Sequence, residues 1–259
     1  MNDRYDPGHD FSSLEGLSPW AERMALNALW GSEPWPETAA LAEGPPGLNC
    51  TVPHALFLPE GYVESYAYPV LVWLHGEGHD EYDVVRRLPE ISDRNYIGLS
   101  LRGNRALPRG NGWSVNEQDH FAVLADLRFL LDGLAAEYPI HRQRIYLVGH
   151  GSGGDVALRL FLQKPEWFAG AASLGGCFPN MTHPLSGFRH LQGKRVLLSW
   201  EQGVHPKTQE LVQKGRLLYQ AGMQVATRVY HPNGLAPATK MLRDVDHWVM
   251  DSLQTAVRA

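Results

Sequence analysis

Residues 145–160, IYLVGHGSGGDVALRL, constrain the fold more tightly than any other stretch of this chain. The apolar run Ile145–Val148 reads as a buried strand, and the segment from Asp155 onward has the apolar spacing of a helix. Between them stand Gly149, Gly151, Gly153 and Gly154. A strand that passes straight into a helix must turn sharply and bring two backbones close together, and glycine permits both. Such a corner belongs to sheets in which helices cross between parallel strands.

The rest of the sequence repeats that alternation. HALFLP at 54–59, PVLVWLH from Pro69 to His75 and NYIGLSL at 95–101 read as strands. The second of them is a continuous apolar run, suited to a strand buried on both faces. DEYDVVRRL at 80–88 reads as a helix. The clearest helix spans Gln118 to Tyr138, where Phe121, Leu124, Leu127, Leu131 and Leu134 recur at spacings of three and four. FAGAASLGG, RVLLSW and QVATRVY supply later strands, and Lys207–Gln220 and Ala238–Val257 later helices. This alternation predicts an α/β fold, a mostly parallel sheet with helices on both faces.

Residues 1–50 read differently. GSEPWPETAALAEGPPGLN is rich in Pro, Gly and Glu, and SPWAERMALNALW before it reads as a short amphipathic helix capped by Ser18 with Pro19 in its first turn. The predicted organisation is an N-terminal extension over 1–50 and a single α/β domain over 51–259.

A formal net charge of -5 offers no broad basic field, so neither nucleic acid nor a membrane surface is an expected partner. The polar, acidic N-terminus lacks the basic start and apolar run of a secretory signal. No apolar run reaches the roughly 20 residues of a membrane span. Cys50 and Cys177 stand far apart and suit reduced packing residues. A cytoplasmic location is the resulting expectation.

Two segments carry a family resemblance. LVWLHGEG at 71–78 resembles the oxyanion-loop strand of α/β-hydrolases, in which His-Gly follows an apolar run. YPIHRQRIYLVGHGSGGDVALRL at 138–160 resembles the segment around the nucleophile turn of carboxylesterases, polyhydroxybutyrate depolymerase-like proteins and feruloyl esterase-like proteins. The likeness in order and spacing runs from about Val52 to the C-terminus. It implies the α/β-hydrolase fold. In an active member it also implies a serine at the tip of the turn, a carboxylate after a later strand and a histidine after the last strand.

The residues at those positions differ here. The turn should read G-x-S-x-G, and Gly149 and Gly153 set that frame with Gly151 at the tip. Placing Ser152 at the tip would put His150 where strand and helix need a small residue. Glycine also takes a positive φ without the roughly 1–3 kcal/mol of strain that a tip serine bears. After RVLLSW, the residues Val204–Pro206 frame the acid position at Gln202, whose amide cannot stabilise an imidazolium as a carboxylate does. In VYHPNGLAPATK the base position falls at Leu235, which carries no proton chemistry. His247 adjoins Asp246, but it lies roughly 160° around its helix from the centre of the stripe Leu242, Val245, Val249, Leu253 and Ala256, and should face solvent.

The oxyanion side is better kept, because backbone N–H groups near Gly76–Gly78 and after Gly151 can face a common point. The expected lining of a ligand pocket is His75, Gly76, Glu77 and Gly78 from that loop, with His150, Gly151 and Ser152 from the corner, and Trp113. Glu77 would repel an anionic ligand if it pointed inward. Arg102, Arg105 and Arg109 would favour carboxylates at the entrance. His75, His79 and His150 flank the corner without a metal being expected. The glycine cluster is not read as a dinucleotide fingerprint, so no cofactor is expected either.

The leading expectation is an esterase-type α/β-hydrolase fold with a degenerate triad, binding a small molecule, a protein partner or a second copy of itself. A second reading stays open, an active esterase with Ser152 as nucleophile, His231 or His205 as base and Glu201 as acid. A third, cofactor-independent lyase or oxygenase chemistry, requires a histidine that Leu235 does not provide.

Overall fold

The computed structural model describes residues 48, 50–181, 188–202, 208–231 and 237–257, all within the compact unit Ala40–Ala259. The expected extension and its helix near Ser18 lie outside the described residues.

The first half of the domain runs β1 (His54–Phe57), β2 (Tyr68–Leu74), α1 (Asp83–Ile91), β3 (Ile97–Leu101), a hairpin of β4 (Arg105–Ala106) and β5 (Asn111–Gly112), and α2 (Glu117–Glu137). The second half runs β6 (Ile140–His150), α3 (Ser152–Gln163), β7 (Gly170–Leu174), α4 (Phe188–Leu191), β8 (Arg195–Glu201), α5 (Thr208–Gln220), β9 (Gln224–Tyr230) and α6 (Pro237–Val257). Seven strands form one sheet in the order β1-β3-β2-β6-β7-β8-β9. β1 runs antiparallel to β3, and every other neighbouring pair is parallel. The parallel strands therefore deliver their C-terminal ends to one edge, where the loops of interest gather.

Burial follows from that layering. Every residue of β2, β3 and β7 is buried, which is why their sequences are apolar or small throughout and do not alternate with charged residues. On α2 the buried residues are Val123, Leu124, Leu127, Leu130, Leu131 and Leu134. Phe121, expected on that stripe, is 56% exposed. At 100° per residue it stands about 120° from Leu127, whereas Val123 and Leu130 fall within about 60°. The face was placed slightly off its true centre by following Phe121.

On α6, Met241, Leu242, Val245, Trp248 and Val249 are buried, and the His247 side chain is 78% exposed, as its helical angle predicts. Asp246 turns the other way and accepts hydrogen bonds from Tyr96 Oη at 2.7 Å and Asn95 Nδ2 at 3.3 Å, which tie α6 to the start of β3. No helix among the described residues is long and apolar enough to cross a membrane.

The centre of the sheet is held by a three-way backbone approach. A Cβ on Gly149 would collide with the Gly153 carbonyl, and a Cβ on Gly153 with the carbonyls of Leu74 and His75. Gly153→Ala should therefore cost about 3 kcal/mol or more in urea denaturation, since rigid backbone and not a flexible side chain is in the way. Gly133→Ala in α2, where the new Cβ meets only Leu48 at 3.4 Å, should instead stabilise by about 0.5–1 kcal/mol.

Candidate functional site

Between the last residue of β6 and the first of α3 stands Gly151, at φ 53° and ψ -121°. Its N–H donates to the Leu174 carbonyl of β7 at 2.8 Å, and its carbonyl accepts from Gly154 N–H at 2.9 Å. Among the described residues every positive φ belongs to a glycine. The tip of the turn thus carries no side chain, and Ser152 is the first helical residue, 6% exposed.

Facing the corner is the loop that leaves β2. His75 is fully buried. Its Nε2 accepts the Gly103 N–H at 2.9 Å, which places the ring proton on Nδ1, donated to the Gly76 carbonyl at 2.8 Å. Burial holds its pKa below the usual histidine value. Trp113, 3% exposed, packs beside the ring at 5.1 Å between centroids and donates its indole N–H to the His75 carbonyl at 2.8 Å. His75 and Trp113 are thus pillars of the loop, with their polar atoms turned to the chain itself. Gly78 N–H donates to the Asn111 carbonyl at 2.9 Å, and Asn111 N–H to the His79 carbonyl at 2.8 Å, which clips the β4–β5 hairpin onto this loop.

Glu77 points inward, as the sequence left open, but its charge is met. One oxygen accepts the Ser152 hydroxyl at 3.1 Å, and the other is ion-paired with Arg105 Nη2. The Glu77 side chain is 7% exposed and that of Arg105 30%. Arg105 Nε donates to the Trp113 carbonyl at 3.3 Å. Arg102 is likewise taken, by Glu81, through Nε at 2.8 Å and a second contact from Nη2. Of the three arginines expected at an entrance, two therefore neutralise acids of this region, and Arg109 is exposed. The Glu77–Arg105 pairing escaped sequence reasoning because Glu77 lies in the loop after β2 and Arg105 in the separate β4–β5 hairpin. The turn residues Pro108, Arg109, Gly110 and Asn111 were the available sign of the hairpin that joins them.

Behind the loop lies a second charged group. His79 Nδ1 is 3.4 Å from Asp83, Arg87 Nε is 3.6 Å from it, and Trp73 Nε1 donates to it at 2.9 Å. Burial opposes ionisation of Asp83, but His79, Arg87 and Trp73 outweigh it and hold the carboxyl well below the usual range. His150 packs beside Gly76, and its burial pushes its pKa down to about 4.

The residues expected for an acid and a base are spread along the same sheet edge. Glu201 ends β8, two strand spacings or about 10 Å across the sheet from β6. Burial raises its pKa. Gln202 is exposed, its N–H donating to the Tyr230 carbonyl at 2.7 Å, and His231 follows β9 on the surface. His205 and Leu235 lie outside the described residues. Gly149, Gly151 and Gly154 do stand at the G-x-G-x-x-G spacing of dinucleotide sites, yet the Glu77 carboxylate beside the start of α3 opposes a phosphate there.

No known family profile matches the chain. Its structure superposes on a Bacillus cereus carboxylesterase with a TM-score of 0.62 and 23% identity, covering 78% of this chain and 95% of that one. A Mesorhizobium loti carboxylesterase gives a TM-score of 0.60 and 19% identity, over 78% and 98%. The chain has an α/β-hydrolase fold. In sequence, NocK of Nocardia uniformis subsp. tsuyamanensis, a protein designated an esterase, is 29% identical over 134 residues. That match spans 49% of this chain but only 37% of NocK.

His75 in the loop after β2, and His150 packed beside it, are kept neutral by burial, and that makes this region sensitive to acid. His150 and His75 resist protonation when folded, whereas the unfolded chain takes up protons near pH 6.5. Their folded pKa values are lowered, so the stability is complete above pH 6.5 and is lost as pH falls toward 4. The urea midpoint should drop between pH 7 and 4.5, and His150→Gln should lose less over that range than the parent. Equal losses in both would exclude His150 as a source.

Proposed function

We propose that this chain is a binding protein built on an esterase-type hydrolase scaffold with a degenerate triad. Its former active-site corner then holds a small molecule, with a protein partner or a second copy as further candidates and the cytoplasm as its setting. Gly151 carries the reading. A hydrolase of this type needs a nucleophile at the tip of the turn, and the residue there offers only backbone. Two further features support it. The Ser152 hydroxyl is spent on Glu77, and Gln202 and Leu235 stand at the positions the resemblance gives to acid and base. The alternative remains hydrolysis by Ser152 with Glu201 and a histidine from His231 or His205.

Intact mass after exposure to a small fluorophosphonate separates the two, with Ser152→Ala beside it. The folded protein should take no adduct and should turn over p-nitrophenyl acetate no faster than Ser152→Ala. A single adduct on the parent, lost in the variant, would falsify the binding-only reading. Gly151→Ser should fold with a loss of about 1–3 kcal/mol, because the tip conformation strains any side chain, and should gain no turnover.

A further inference from the structure

We propose that the corner is a carboxylate-binding site that the chain keeps filled with its own Glu77, and that small-molecule carboxylates are the ligands that displace it. This rests on the binding reading above and gives it a ligand class. The two oxygens of Glu77 are divided between a hydroxyl donor, Ser152, and a guanidinium, Arg105. That pairing of donors is what recognises a carboxylate from any source, since a guanidinium meets its charge and a hydroxyl its second oxygen. The cradle is built for this occupant. A Cβ on Gly112 would stand 2.6 Å from Glu77 Oε1 and 2.8 Å from Arg105 Nη2, so the hairpin leaves room for the carboxylate and guanidinium and no more. Arg105 is also anchored independently of Glu77, through Nε on the Trp113 carbonyl.

Glu77 itself is poorly explained by stability. Taking its charge out of water is costly, and a buried ion pair seldom returns more than it loses to desolvation. Its position does suit an occupant that can leave. It sits in a loop between Gly76 and Gly78, the latter at φ 80°, and not in a strand. The Arg105 side chain is 30% exposed as a whole, although its Nη2, the atom that meets Glu77, is buried, so a ligand reaches the cradle only as Glu77 turns out. When a ligand enters, its carboxylate takes over the contacts to Ser152 and Arg105, and Glu77 turns to water. A tethered carboxylate competes at high effective concentration, so the intact protein binds such ligands weakly.

Butyrate titrations followed by calorimetry and thermal unfolding test this on the full chain, on Glu77→Ala, on Glu77→Gln and on Glu77→Ala with Arg105→Ala. Glu77→Ala should melt below the parent, bind butyrate at least about tenfold more tightly and recover melting temperature as butyrate is added. The double variant should show neither effect. If Glu77→Ala does not fold, Glu77→Gln takes its place, with a tightening of several-fold expected. Butyrate binding no tighter without the Glu77 carboxylate, or equally tight without Arg105, overturns the proposal. A fluorophosphonate adduct on Ser152 would overturn the binding-only function and leave this result to be read separately.

Discussion

The close approach of three backbones at Gly149, Gly153 and the Leu74–His75 carbonyls is the constraint on which the site depends. It draws α3 onto the ends of β2 and β6 with no side chain between them. The same contact fixes where α3 begins, and hence where Ser152 and the first helical N–H groups stand relative to the loop after β2. A substituent at either glycine would move the helix, and every distance in the corner would change with it. The glycines are therefore a positional requirement before they are a matter of flexibility.

The loop opposite the corner is held by polar atoms in a dry environment. His75 has both ring nitrogens engaged by backbone, the Trp113 indole donates to the His75 carbonyl, and Gly78 and His79 exchange backbone bonds with Asn111 of the hairpin. Each of these groups would be costly to bury alone, and together they leave the loop few alternative conformations. The Glu77–Arg105 pair differs from this framework. Its members hold each other and Ser152, but the surrounding bonds do not run through the Glu77 carboxylate. The backbone bonds thus fix the rim of the site, and the proposed exchange of Glu77 would leave them in place.

Much of the architecture was legible because its signal is local. Continuous apolar runs marked β2, β3 and β6, and the angular position of His247 placed it on the solvent side of α6. The β4–β5 hairpin was missed because two-residue strands have no periodicity to read. The error at Phe121 has a related cause, since an apolar residue near a helix end fits a spacing template while lying off the buried arc. Within the site, the sharp strand-to-helix corner at Gly151 was legible from the glycines at 149, 151, 153 and 154. The fate of Glu77 was not legible, because it depends on Arg105 arriving from the β4–β5 hairpin, whose position is set by tertiary bonds.

An empty tip and an internal carboxylate are physically coupled. A corner with a helix N-terminus, a hydroxyl and a guanidinium is short of negative charge when it holds no substrate. With a tip serine present, a carboxylate in the same space would oppose the negative charge that develops when that serine attacks an ester. Once the tip is glycine, that objection is gone, and an anion beside Ser152 and Arg105 becomes favourable. On the proposed reading, a glycine tip and a Glu77 carboxylate held by Ser152 and Arg105 are compatible features, and together they suit the corner to holding an anion over making one.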